Sequence, residues 1–456
     1  MISRPKTAKK ILIQGLREAE MVFAAWLGAL MRIPFSFEKI DASFRSKVIS
    51  YCMSNLYTSN AARSTSSWCL ARYYSRSDAS IIDHVTSICE SIRSEAEKYS
   101  RVDPETNPHL ISGGLQFLCN LYKIGDRQKL SKINELCFDL AQDVADVFEN
   151  VENENHKDAS IEKLCVKLSG RVALVALKPQ SAKWKYKRGN RVTINQQNSK
   201  TILNEDTDDE EAEDDLDIPD LVEQIISVLI NSLNHTTTIV RWNGAKQLGR
   251  VVERLDKENG THICETVLEM MDHRNSEDTW HGAASAIAEF SRRNLITKDL
   301  LPSTIDAVVE GLKFDKRRGD GSIGSNVRDA SCYAAWTLAR GFSSEHLTPF
   351  VTKIVTTLLL VSCFDREVSC RRAAQAALQE NIGRLPLGLI TNGLGINQAV
   401  NFITISTLNK ASRMGARVAN EFSEYRQGII DYLVQKRLCH WENDVRLSSG
   451  NARDNL

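Results

Sequence analysis

Four stretches between Val240 and Arg384 repeat one another: VRWNGAKQLGR, TWHGAASAIAEFSRRN, NVRDASCYAAWTLARGF and REVSCRRAAQAALQENIGR. Each runs from a polar lead-in through a basic or aromatic residue to a pair of small residues and an amphipathic helix. The small pairs are Gly244/Ala245, Ala283/Ala284, Ala330/Ser331 and Ala373/Ala374, and they start 39, 47 and 43 residues apart. Two-helix units with a period of roughly 40 residues belong to HEAT and armadillo arrays. One helix pair cannot bury its apolar face alone, so neighbours stack, and the small residues let their backbones approach. The fold expected is therefore all-α, a HEAT/armadillo-type α-α superhelix, or solenoid, of stacked helix pairs.

Composition narrows what such an array does. Among 456 residues, Lys plus Arg and Asp plus Glu are both 58, so net charge draws the chain toward neither nucleic acid nor membrane. The 11 cysteines include no C-x-x-C pair and mostly sit in apolar helical runs, as core thiols do. The 9 histidines are dispersed, so neither a zinc site nor any other cofactor is expected. The apolar run Met21–Met31 has 11 residues, too few to span a bilayer, and reads as a buried helix, not a signal peptide.

In order along the chain, helical patterns cover 8–31, 41–57, 61–74, a segment capped by Asp78, then 110–122, 130–151 and 161–177. A charge switch follows. Lys183, Lys185, Lys187, Arg188 and Arg191 interleave with Trp184 and Tyr186, a mixture suited to single-stranded nucleic acid or to a solvated connector. Directly after it, EDTDDEEAEDDLDIPD holds 11 acidic residues in 16, which repel one another and resist compaction. Pro219 and Asp220 then open a fresh helix. This organisation predicts a first helical array over 1–200, an acidic linker over 201–220, a second array over 221–445 and a polar tail over 446–456.

The repeats also supply candidate partner-binding residues: Arg241, Trp242, Trp280, His281, Arg317, Arg318, Arg328, Arg371 and Arg372. Asp365 and Arg371, six residues apart, fit a ladder between stacked repeats. Arg241 has His235 where a carboxylate would stand, and so reads as freer to meet a partner. Trp242, Trp280 and Trp336 suit either interface anchors, for which Trp and Arg are favoured, or partly buried core. Lys316–Gly324 (KRRGDGSIG) reads as a flexible basic loop; no strand precedes it and the phosphate-loop order is absent, so it is no nucleotide site. No catalytic motif is present, and an enzyme is not expected.

These stretches, together with FDKRRGDGSIGSNVRDASCYAAWTLAR, FDREVSCRRAAQAALQENIGR, LKPQSAKWKYKRGNR, Trp26 with Ile33-Pro34-Phe35, Gly113-Gly114-Leu115-Gln116 and His440-Trp441, resemble the tubulin-folding cofactor D family. The resemblance runs from about Trp26 to Arg446. It implies a non-catalytic, cytoplasmic and microtubule-associated chaperone of helical repeats. Such a protein holds β-tubulin during post-chaperonin assembly of the α/β heterodimer and works with cofactors C and E and a small Arf-like GTPase. It also implies at most stimulation of GTP hydrolysis by the tubulin client, with no nucleic acid and no membrane span. Family members are longer at both ends, so this chain reads as a truncated central portion. The competing reading is a generic HEAT-repeat scaffold without tubulin activity.

Overall fold

A computed structural model of the chain describes residues 4–35, 42–59, 61–76, 79–101, 103, 105–150, 158–179, 218–319, 321–386 and 388–454. These divide into two compact units. The first lies within Met1–Pro179 and Ile218–Ser232, and the second within Leu233–Leu456. Asp78, most of the basic connector and the acidic stretch through Asp217 lie outside the described residues.

The first unit holds α1 (Arg4–Leu30), α2 (Ala42–Leu56), α3 (Ala62–Tyr74), α4 (Ile82–Ser100), α5 (Pro108–Ile124), α6 (Arg127–Leu130), α7 (Asn134–Glu149), α8 (Ala159–Ala176) and α9 (Asp220–Asn231). Two layers result. Helices α1, α3, α5 and α8 pack side by side in that order, and α4 and α7 pair behind α5 and α8. Helix α5 shows why: Pro108 pre-sets the first turn, Asn107 caps it by accepting from the His109 amide (3.1 Å), and Ile111, Leu115 and Leu118 are buried along one stripe. Close approach is set by Gly113, where an added Cβ would stand 2.1 Å from the Leu56 carbonyl oxygen.

Two expectations change here. The run Met21–Met31 is half-buried, not buried, since Ala24, Leu27 and Met31 face inward while Phe23 and Trp26 are exposed. Helix α9, expected to open the second array at 221, packs on α8 and buries Val222, Ile225 and Leu229 in the first unit. The acidic run marks a break in composition, whereas packing follows whichever apolar face is available.

The second unit holds α10 (Thr238–Val252), α11 (Lys257–Glu269), α12 (Glu277–Arg292), α13 (Leu301–Leu312), β1 (Lys316–Arg318), β2 (Gly321–Ile323), α14 (Ser325–Gly341), α15 (Ser344–Leu347), α16 (Val351–Phe364), α17 (Val368–Arg384), α18 (Gly393–Ala399), α19 (Leu408–Glu421), α20 (Ser423–Tyr432) and α21 (Asn443–Arg453). Helices α10, α12, α14 and α17 form one row in that order, and α11, α13, α16 and α19 form the row behind. The four sequence repeats are the front row. Each unit is thus a stack of helix pairs, the HEAT/armadillo-type architecture read from the period. At Gly282 an added Cβ would come within 2.0 Å of the Leu233 carbonyl oxygen, the same close approach as at Gly113.

The basic loop is in fact a short antiparallel hairpin, Lys316 pairing with Ile323 and Arg318 with Gly321. The stretch from 446, expected as a polar tail, belongs to α21, whose Val445, Ser448, Ser449 and Ala452 are buried. Small residues pack as closely as apolar ones here, which mean polarity conceals. Ser344–Phe364 is long and apolar enough to cross a membrane. Yet 67% of its apolar window is buried inside the protein, as in a core helix.

Candidate partner-binding site

The first turn of each front-row helix carries candidate residues, and one local module recurs at Arg241, Arg371 and Arg446, whereas Arg328 donates to the Phe314 carbonyl (2.7 Å). Arg241, Arg328, Arg371 and Arg446 begin α10, α14, α17 and α21, while Trp280 occupies the equivalent position in α12. Arg241 Nη1 donates to the carbonyls of His235 (2.5 Å) and Thr236 (2.9 Å). Arg371 Nη1 does the same to Asp365 (2.7 Å) and Arg366 (2.8 Å), and Arg446 Nη1 to His440 (2.6 Å) and Trp441 (2.7 Å). The residue six before each arginine turns back to accept a backbone amide: His235 from Thr237 (3.0 Å), Asp365 from Glu367 (2.8 Å) and His440 from Glu442 (3.1 Å). Both groups satisfy backbone atoms that a helix start and the turn before it leave unpaired.

The same arginines reach into the next repeat. Arg241 donates to Asp278 Oδ1 (2.5 Å) and to His281 Nδ1 (2.8 Å). Arg328 binds Asp365 through Oδ2 (2.6 Å) and Oδ1 (3.3 Å), and Arg371 donates to the carbonyls of Ile405 (2.8 Å) and Ser406 (3.2 Å). A ladder exists, but its rungs are not the expected ones. Asp365 offers Arg371 its backbone carbonyl, while its carboxylate serves Arg328 and the Glu367 amide. Arg241 is not free either: it is 1% exposed, and its carboxylate comes from the following repeat, which spacing within one repeat could not reveal.

Burial sorts the nine candidates. Arg241, Arg328, Arg371 and Trp280 are buried and their donors are engaged, so they hold the repeats together and present no surface to a partner. Trp280 donates Nε1–H to the Asp272 carbonyl (2.7 Å) and packs on Phe314. His281 is half-buried; burial first and the Arg241 charge second pull its pKa down to about 4, so its ring is neutral and accepts from Arg241. Burial opposes the charge on Arg328, but Asp365 and Asp315 more than offset it and hold that pKa above the ordinary value. For Arg371 burial outweighs the nearby Asp365 and Glu367 charges, and its pKa is lowered.

The exposed candidates are Trp242, Arg317, Arg318 and Arg372. Trp242 is 45% exposed with Lys246 Nζ 4.7 Å above its ring, and Arg372 lies 4.2 Å over the exposed ring of Phe402. Arg317 and Arg318 stand on the hairpin, which is fixed on both sides. The Ser322 carbonyl accepts from Arg366 (2.8 Å), and Asp315, at the hairpin base, lies 3.0 Å from His440 Nε2. Burial works against the Asp315 carboxylate, yet His440, Arg328, Ser322 and Arg437 hold its pKa below the usual range. Phe402 and Ile403 were missed from sequence. Two apolar residues in a turn between helices, N-F-I-T, were the available signal.

A family model described as tubulin-specific chaperone D-like, ARM repeats, matches residues 160–394, just over half of the chain and all four sequence repeats. The chain belongs to the tubulin-specific chaperone D-like family of ARM-repeat proteins. Within it, the chain is 35% identical over 221 residues to tubulin-specific chaperone D of Dictyostelium discoideum, covering 47% of this chain and 15% of that one. It is 26% identical over 445 residues to tubulin-folding cofactor D of Schizosaccharomyces pombe, covering 92% of this chain and 37% of that one. The chain therefore spans well under half the length of either relative. Among solved structures, a Kap121p mutant covers 92% of this chain and 39% of its own at TM-score 0.43 and 11% identity. Importin beta covers 92% and 66% at TM-score 0.32 and 12% identity. At these values the two structures carry no argument about this chaperone D-like chain.

Proposed function

We propose that the chain is a tubulin-folding cofactor, a non-catalytic chaperone that holds β-tubulin during post-chaperonin assembly of the α/β heterodimer. The observation that carries this reading is the family match over 160–394, because it covers the four front-row helices and the Arg241 and Arg328 rungs between them. A stack of helix pairs suits this role, since it offers a long surface instead of a pocket, as a large protein client needs. The client-facing residues in this reading are Trp242, Arg317, Arg318 and Arg372 at the exposed helix starts and hairpin. Cofactors C and E and a small Arf-like GTPase are further partners. GTP belongs to the tubulin client, whose hydrolysis the assembled cofactors stimulate, and the work is done in the cytoplasm near microtubules.

The test is retention of purified β-tubulin on the immobilised chain, repeated with Arg317→Glu/Arg318→Glu/Arg372→Glu. Binding by the parent and a loss of about tenfold in the variant is the expected result, since reversing interface charges both removes attraction and adds repulsion. No retention by the parent sinks the function for this chain. Undiminished retention by the variant moves the contact elsewhere. A second reading is a helical-repeat scaffold without tubulin activity. It predicts a stable partner other than tubulin in the same experiment.

A further inference from the structure

Away from the helix starts, the outer face of the front row carries a continuous line of cations and aromatic rings that the ladder does not use. Lys246 on α10 sits over Trp242 and makes no ion pair among the described residues. Its pKa is lowered, by burial first and then by Arg250; Glu289 on the next helix opposes the shift, and Arg292 and Arg293 beside it add to it. On α12, exposed Arg292 lies 3.9 Å from Glu289, which also accepts from the Tyr333 hydroxyl (3.2 Å) on α14. Tyr333 stacks on Trp336 with centroids 6.1 Å apart, and Arg340 lies 4.2 Å over the Trp336 ring. Arg340 reaches Glu380 on α17 (3.6 Å), which Arg384 also binds.

The three carboxylates along this line are already held by arginines: Glu289 and Glu253 by Arg293, and Glu380 by Arg384. Glu289 answers both Arg292 and Arg293, so Lys246, Arg250, Arg292, Arg293, Arg340 and Arg384 outnumber Glu253, Glu289 and Glu380, and a positive excess remains around Lys246 and the exposed Arg292. We infer that the α10–α12–α14–α17 face is a docking surface for an extended acidic segment of a partner protein. Four neighbouring helices spaced about 8–10 Å apart give a track of roughly 24–30 Å. At about 3.3 Å per residue, that length takes roughly eight or nine residues of extended chain.

Single-stranded RNA is the rival occupant for any surface of cations and rings. Here the rings are taken. Lys246 lies over Trp242, while Tyr333 and Arg340 pack on Trp336, so each ring already has a cation or a ring on a face that a base would use. Carboxylates need only the cations, of which Arg292 is exposed and Lys246 partly so. The inference stands apart from the tubulin reading, because it concerns a surface and a chemistry and its probe contains no tubulin.

The experiment is fluorescence anisotropy of a labelled twelve-residue Glu/Asp-rich peptide with the full chain, beside a Gln/Asn-substituted peptide and a twelve-nucleotide RNA. Saturable binding of the acidic peptide alone, weakening steeply with salt, is expected. Lys246→Glu/Arg292→Glu should weaken it about tenfold or more, whereas Arg317→Glu/Arg318→Glu, with the same change in net charge, should shift it less than about twofold. Lys246→Gln/Arg292→Gln, the gentler change, should lie between, and thermal melts establish that each variant is folded. Absence of peptide binding, equal loss from both Glu pairs, or tighter RNA binding lost in the Lys246/Arg292 variant would each overturn the inference.

Discussion

The two units divide turn closure and lateral contact differently among their side chains. In the first, turns are pinned by short acids acting locally. Asp103 accepts the Glu105 amide (2.9 Å), Asp126 the Gln128 amide (2.9 Å) and Asp158 the Ser160 amide (2.8 Å). Its front-row helices touch through Asn120 to Ser67 (2.7 Å) and Arg63 to Ser112 (2.7 Å), and through arginines that donate to carbonyls of a neighbouring helix, as Arg72 does to Gly28 (3.0 Å) and Arg127 to Val175 (2.8 Å). In the second unit a single arginine closes its own turn and grips the next one. The first unit therefore gives turn-capping and lateral contact to different residues, as with Asp126 and Arg127, whereas in the second Arg241 and Arg371 each do both. Damage to one side chain should stay local in the first and spread to a neighbouring repeat in the second.

The largest test of that contrast is Arg328→Met. Removing one partner of a buried ion pair strands Asp365 and should cost about 3–5 kcal/mol. Hydrogen exchange by mass spectrometry should show loosening in both α14 and α17. Arg63→Met, its first-unit counterpart, should cost only about 1 kcal/mol and loosen α3 and α5 alone. Equal losses would break the contrast. Next come Gly113→Ala and Gly282→Ala, each forcing a methyl into a backbone carbonyl. Both should lose about 1–3 kcal/mol or more in denaturant unfolding, because this close approach is common to the two units.

Acidification comes third. His281 is held neutral in the fold, so the folded form binds fewer protons than the unfolded one. Its contribution is complete above the ordinary histidine pKa and is lost as pH falls from about 6.5 toward about 4, on the order of 2–3 kcal/mol. His281→Asn keeps an acceptor near Arg241 without titrating. Urea midpoints of the variant measured across that pH range should fall less than those of the parent; parallel curves would refute the role given to His281. The smallest effect belongs to Arg372→Ala, whose side chain rests on an exposed ring. Its melting curve should move by no more than about 0.5 kcal/mol, while tubulin retention falls.

The stacked-pair architecture was legible because the small residues that permit close approach recur at fixed positions, from Gly244/Ala245 to Ala373/Ala374. The candidate site was legible only in part. Sequence finds the arginines, but their burial depends on carboxylates and carbonyls in a neighbouring repeat, such as Asp278 for Arg241 and Asp365 for Arg328. No spacing within one repeat encodes that partner. The allegiance of α9 and the helix at Asn443–Arg453 were hidden for a related reason. Local polarity marked a break at the first and a tail at the second, and both were overruled by packing surfaces distant in sequence.

The contact between Asp315 and His440 joins residues 125 apart. An array held only by nearest neighbours frays from its end one repeat at a time. Here the terminal helices are fastened to the base of the hairpin several helices back. They cannot peel away singly without first breaking that clasp, so everything from the hairpin to α21 should open and close as one cooperative block.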